Sequence, residues 1–151
     1  MADADNFSFR IDRTLGWHPD KDCSVFSLDL AFYTEGDIFF RVDGTTKAVS
    51  KYLLEFYLEL KASALKFLGT TSYETTVAMP LSGGGLIFSR NEQNVSMEFR
   101  GAFTVDMTWP DFIEGFRRFE CELVKELGTR FPKMVRTAEF QLIYPIEATL
   151  H

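Results

Sequence analysis

The chain of 151 residues has little of what catalysis usually draws on: two cysteines, Cys23 and Cys121, and two histidines, His18 and His151. The cysteines form no disulfide framework, so they read as reduced thiols of a cytoplasmic protein. A nucleophilic triad or a histidine zinc site needs an oriented, partly buried imidazole. His151 is the last residue, and His18 lies in a polar loop, GWHPDKD, where Asp20, Asp22 and Cys23 give no ligand pair of convincing spacing. No metal and no cofactor is expected. No apolar run approaches the roughly 20 residues of a membrane helix. The opening MADADNFSF is acidic and lacks an apolar core, so no signal peptide is expected. Basic residues are also scarce, 16 against 22 acids, for a net charge of −6 and a pI of about 4.9. That balance disfavours nucleic acid, whose phosphates attract clustered Lys and Arg.

Aromatic volume, by contrast, is plentiful. Sixteen phenylalanines in a chain that is 46% hydrophobic need a thick core of packed layers. No linker, repeat or low-complexity tract divides the chain, and its length suits one domain, residues 1–151. The acidity is uneven. Residues 1–45 hold nine acids against four bases, five of the six net negative charges. Such a region favours solubility and a cationic partner.

Alternating apolar and polar residues predict strands near 7–13, 24–33, 37–43, 72–79, 85–90, 94–100 and 102–108. Within SVFSLDLAFYTEGDIFFRVDG, matching the apolar faces sets Phe32 opposite Ile38. Thr34, Glu35 and Gly36 then form a three-residue hairpin loop with Gly36 in its left-handed position. The same register pairs Asp29 with Arg41 and Ala31 with Phe39 on the outer face. Helical spacing of Val49, Leu53, Phe56, Leu60 and Phe67 predicts a helix over 46–68. A second helix, 109–128, starts from Thr108 with Pro110 in its first turn and ends at Gly128. Phe112, Phe116, Phe119, Leu123 and Leu127 form its stripe, and Glu114 and Arg118 share its outer face. The expected fold is α+β: a mostly antiparallel sheet of about six to eight strands with both helices on one face. Residues 131–146 form a further strand or an extended cover.

Three consecutive glycines, Gly83 to Gly85, raise the question of a phosphate cradle. They lead into a strand, whereas a cradle opens a helix and is followed by Lys-Ser or Lys-Thr. They read as a flexible connector. Glu98 and Asp106 read as part of a solvated sheet face with Ser96, Arg100 and Thr104, and Arg117 and Arg118 as helix surface. The first helix has a second apolar strip, Leu54, Leu58 and Leu65, which calls for an internal cover or a second copy of the chain.

The hairpin LDLAFYTEGDIFFRV, the helix KYLLEFYLELKASALKFLG, the meander GLIFSRNEQNVSMEF and the helix TWPDFIEGFRRFECELVKELG cover most of the chain. In size, acidity and order of elements they resemble small α+β immunity proteins of bacterial toxin–immunity systems. The resemblance implies tight, non-catalytic binding of a basic toxin domain in the cytoplasm. The candidate contact residues are Glu35 and Asp37 as exposed carboxylates at the hairpin tip, Tyr33 and Phe39 behind them, and Asp20 and Asp22 in the acidic loop. Two other readings stay open: an acidic, dimeric secretion chaperone, and a small-ligand protein or enzyme with a cavity between sheet and helices.

Overall fold

The computed structural model describes residues 7–11, 34–42, 44–133 and 136. Strands β1 (Phe7–Ile11), β2 (Glu35–Val42) and β3 (Thr45–Tyr52) lead into helix α1 (Leu53–Lys66). Strands β4 (Ser72–Ala78), β5 (Gly85–Asn91), β6 (Asn94–Phe99) and β7 (Phe103–Thr108) then lead into helix α2 (Trp109–Arg130). The fold is α+β, but the strands among the described residues form two antiparallel sheets, β1-β2-β3 and β4-β5-β6-β7, where one was expected. The break falls where α1 enters the chain. β3 runs straight into the helix, and α1 then carries the chain along the core to β4.

The meander β5-β6-β7 and α2 follow the sequence closely. The β5–β6 loop is two residues, with Glu92 at φ 55°, and the β6–β7 loop is three, with Gly101 at φ 76°. Thr108 caps α2 by accepting the Asp111 N–H at 3.2 Å. Gly128 does not end α2. The helix continues to Arg130 and closes where the Phe131 N–H donates to the Leu127 carbonyl, with Phe131 buried. Arg118 Nε is buried without a hydrogen-bond partner.

The first half departs further. The helix expected over 46–68 starts only at Leu53, and residues 45–52 are β3. Val49, counted as helical from its spacing to Leu53, lies opposite Ile38 in the ladder. The β-branched Thr45, Thr46 and Val49 suit a strand, and the Asp43-Gly44 dipeptide is a hairpin signal. Gly44 carries the left-handed conformation at φ 76°. The expected hairpin register is not formed. Phe32 lies outside the described residues, but Ile38 already has Phe9 on one side and Val49 on the other. Phe39 faces Ser8 and Ala48, and Arg41 faces Thr46. The expected strand 24–33 lies outside the described residues, as does most of the 131–146 segment.

Gly36 is a strand residue rather than a turn. A Cβ there would sit 2.6 Å from the Arg10 carbonyl oxygen and 2.9 Å from Leu53 Cδ1. The glycine is needed for the close approach of β1, β2 and α1.

Both sheets and both helices feed one core. Phe7, Ile38 and Phe40 come from the three-stranded sheet, and Leu86, Phe88, Met97, Phe99 and Val105 from the four-stranded one. Phe56, Leu60, Phe112, Phe116 and Phe119 fill the space between. Leu54 is buried, and Leu58 and Leu65 pack half-buried against this cluster. The second apolar strip of α1 therefore packs in part on the chain's own core. No helix among the described residues is long and apolar enough to cross a membrane.

Candidate functional site

β2 is the middle strand of its sheet, so its outward side chains sit at the centre of a face. Gly36, Ile38 and Phe40 point into the core, while Glu35, Asp37 and Phe39 alternate outward and are half-buried. Cross-strand partners complete the face: Arg10 and Ser50 flank Asp37, Ser8 and Ala48 flank Phe39, and Tyr52 lies beside Glu35. Arg10 Nη2 is 3.1 Å from Asp37 Oδ2, and Ser50 Oγ donates to Asp37 Oδ1 at 2.7 Å. The Arg10 guanidinium carbon also lies 5.4 Å from the centroid of the Phe39 ring. One cation thus bridges the acid and the aromatic.

The expected site is brought together only in part. Phe39 and Asp37 share one face, but neither lies at a hairpin tip. Asp37 is not a free carboxylate, because Arg10 balances its charge. Tyr33, Asp20 and Asp22 lie outside the described residues. Thr34, expected in the hairpin loop, is fully buried. Its carbonyl accepts the Leu53 N–H at 2.8 Å and its hydroxyl accepts the Leu54 N–H at 3.1 Å. It caps α1 from outside the helix, where Tyr52 supplies no side-chain cap.

The glycines belong to a second polar centre. Glu55, in the first turn of α1, is 6% exposed. Its carboxylate accepts the Leu81 N–H at 2.8 Å, the Ser82 N–H at 2.8 Å and the Ser82 hydroxyl at 2.6 Å. Ser82 Oγ in turn accepts the Tyr52 N–H at 3.0 Å. Lys51 Nζ donates to the Gly83 carbonyl at 3.0 Å. Gly83 and Gly84 both adopt φ 78°, which lets the loop fold over α1. The loop does cradle an anion, and the anion is the chain's own Glu55. This clasp ties the β4–β5 loop to the end of β3 and the start of α1. Burial holds the Lys51 ammonium below the usual lysine range, partly offset by the charge of Glu55. Desolvation, and then the charge of Glu55, raises the Glu59 carboxyl.

Replacing Glu55 with Gln should cost about 2 kcal/mol. The amide presents one acceptor where the carboxylate had two, so a loop N–H or the Ser82 hydroxyl loses its partner. Amide hydrogen exchange should quicken at Leu81 and Ser82 before it does elsewhere. Unchanged exchange there would mean that the loop holds its shape without the clasp.

A third cluster joins the two helices. Lys61 Nζ lies 2.7 Å from Glu120 Oε2 and donates to Tyr57 Oη at 3.0 Å, and the Tyr57 hydroxyl donates to the same carboxylate oxygen. Glu55, Ser82 and Lys61 were missed in the sequence because their partners are remote along the chain. The available hint was a Glu or Lys placed within an otherwise apolar helical stretch.

Among the described residues, no group of three His, Cys, Asp or Glu side chains could hold a metal ion. Cys121 is a free, exposed thiol. The chain matches no family model, no curated protein and no solved structure.

Proposed function

We propose that this chain is a non-catalytic protein-binding module of the immunity-protein kind, and that it docks a basic partner domain on the outer face of β1-β2-β3. The observation that carries this reading is Phe39. It lies at the centre of a sheet face, half-buried, with Arg10 against its ring and the Asp37 carboxylate alongside. A ring fixed by a strand and bordered by polar groups is the usual form of an interface anchor: the ring supplies desolvated contact and the polar rim supplies register. Arg10, 73% exposed in its side chain, keeps donors turned to solvent. Since Arg10 balances Asp37, steering of a basic partner rests on the net charge of −6 rather than on that single carboxylate.

The test takes the product of the neighbouring gene as partner and measures association and dissociation rates. Phe39→Ala should weaken binding by about 2 kcal/mol, chiefly through faster dissociation. Added salt should slow association by the wild-type chain. Normal rates for folded Phe39→Ala and Arg10→Ala variants with that partner would remove this face from the interface.

A further inference from the structure

A groove opens on the outer face of the four-stranded sheet. Its floor is a grid set by strand register. Ser89, Ser96 and Asp106 lie side by side on β5, β6 and β7, and Asn91, Asn94 and Thr108 form the next row. Arg41, from β2, and Asp111, from the first turn of α2, also line the groove. The groove is open to solvent and offers about 570 Å³, within the size range of small-molecule sites.

The lining selects among ligands by its chemistry. Two carboxylates and one guanidinium are among the lining groups, so a phosphate or other anion meets a net negative charge. Among the described residues no third acid, histidine or cysteine joins Asp106 and Asp111 in a group that could hold a metal ion. Among the described residues no aromatic ring lines the groove, so none of them offers a nucleobase a stacking surface. What remains is a dense set of hydroxyl and amide groups, each able both to donate and to accept, with carboxylate acceptors among them. That set matches a ligand built of hydroxyl groups. The grid is held before any ligand arrives. Its rows are fixed by two antiparallel ladders, and Asp111 is placed by its N–H bond to Thr108 Oγ at 3.2 Å.

We infer that this groove binds a neutral saccharide, with Asp106 accepting from ring hydroxyls and the serine and asparagine side chains completing the hydrogen bonds. This inference stands apart from the protein-docking face. Its test is an amide-resolved NMR titration of the full chain. The probes are a panel of neutral mono- and oligosaccharides at millimolar concentration, inorganic phosphate, and N-acetylarginine amide. A saccharide should shift the amides of Ser89, Ser96 and Asp106 as one cluster, and the two charged probes should not. Asp106→Ala, at an exposed position, should weaken that saccharide about tenfold, the loss of one charge-assisted hydrogen bond. Ser96→Val, which keeps strand propensity, should weaken it as well. The inference is overturned if no saccharide moves the cluster, if phosphate or the arginine amide moves it equally, or if both folded variants bind as the wild type does.

Discussion

Phe119→Ala is expected to lower the unfolding free energy by about 4 kcal/mol, within the range for deleting a buried ring. Phe119 is 0% exposed and sits where β1 and both helices meet. Its ring centroid lies 5.1 Å from Phe7, 5.0 Å from Phe9, 5.6 Å from Phe56 and 6.5 Å from Phe116. The vacated space is hard to refill. Phe7 belongs to a strand laddered to β2, and its Cβ already approaches the Gly115 position on α2 so closely that a Cβ there would be 2.9 Å away. Backbone that near cannot move inward, so the cavity persists and its lining loses dispersion contacts. For a chain of this size the melting temperature should fall by about 10 °C, as read by circular dichroism. A loss of less than about 2 kcal/mol would mean that the phenylalanines repack into the gap.

The sequence was most legible where local pattern and turn chemistry agree. β5, β6 and β7 alternate strictly and are joined by short loops, so partners lie close in sequence. α2 has an N-terminal cap and an unbroken apolar stripe. Around β2 the same rules were ambiguous. Period two says which side chains share a face, and that reading of Ile38, Phe40 and the outward Phe39 held. It does not say which strand lies alongside. A hairpin between 24–33 and 37–43 matched the faces as well as the pairing that forms, in which β2 lies between β1 and β3. The short spacing of Val49 to Leu53 then extended the helix pattern back into β3. Gly36 looked like a turn residue because both a tight turn and a close strand approach call for glycine.

The polar centres were less legible still. Alternation placed Asp37 and Phe39 on one outward face, as found. It could not show that Arg10 reaches both, because β1 is 27 positions from Asp37 along the chain. Glu55 and its loop are a side chain and backbone N–H groups 26 and 27 positions apart. No periodicity encodes such a bond. A carboxylate inside an apolar helical stretch only signals that some partner must exist, since burying it alone is costly.

That argument applies most strongly to Lys61, whose side chain is 6% exposed and whose ammonium lies against Glu120 and Tyr57. Glu120→Ala should cost about 3 kcal/mol, because it strips the counter-charge from a buried cation and leaves Lys61 with the Tyr57 hydroxyl and the face of its ring, 5.4 Å away. The pair need not be strongly stabilising for this to hold, since the desolvation of Lys61 is incurred whether or not Glu120 is present. Lys61→Met combined with Glu120→Leu should therefore be less destabilised than Glu120→Ala alone, although it carries one charge-removing change more. What the double variant still loses is two hydrogen bonds of the Tyr57 hydroxyl, the one it accepts from Lys61 and the one it donates to Glu120, about 1 kcal/mol each. Urea melts of both single variants and of the double variant would separate these terms. If Glu120→Ala cost under about 0.5 kcal/mol, the cluster would be behaving as a solvated surface pair, and water would be reaching Lys61 between the helices.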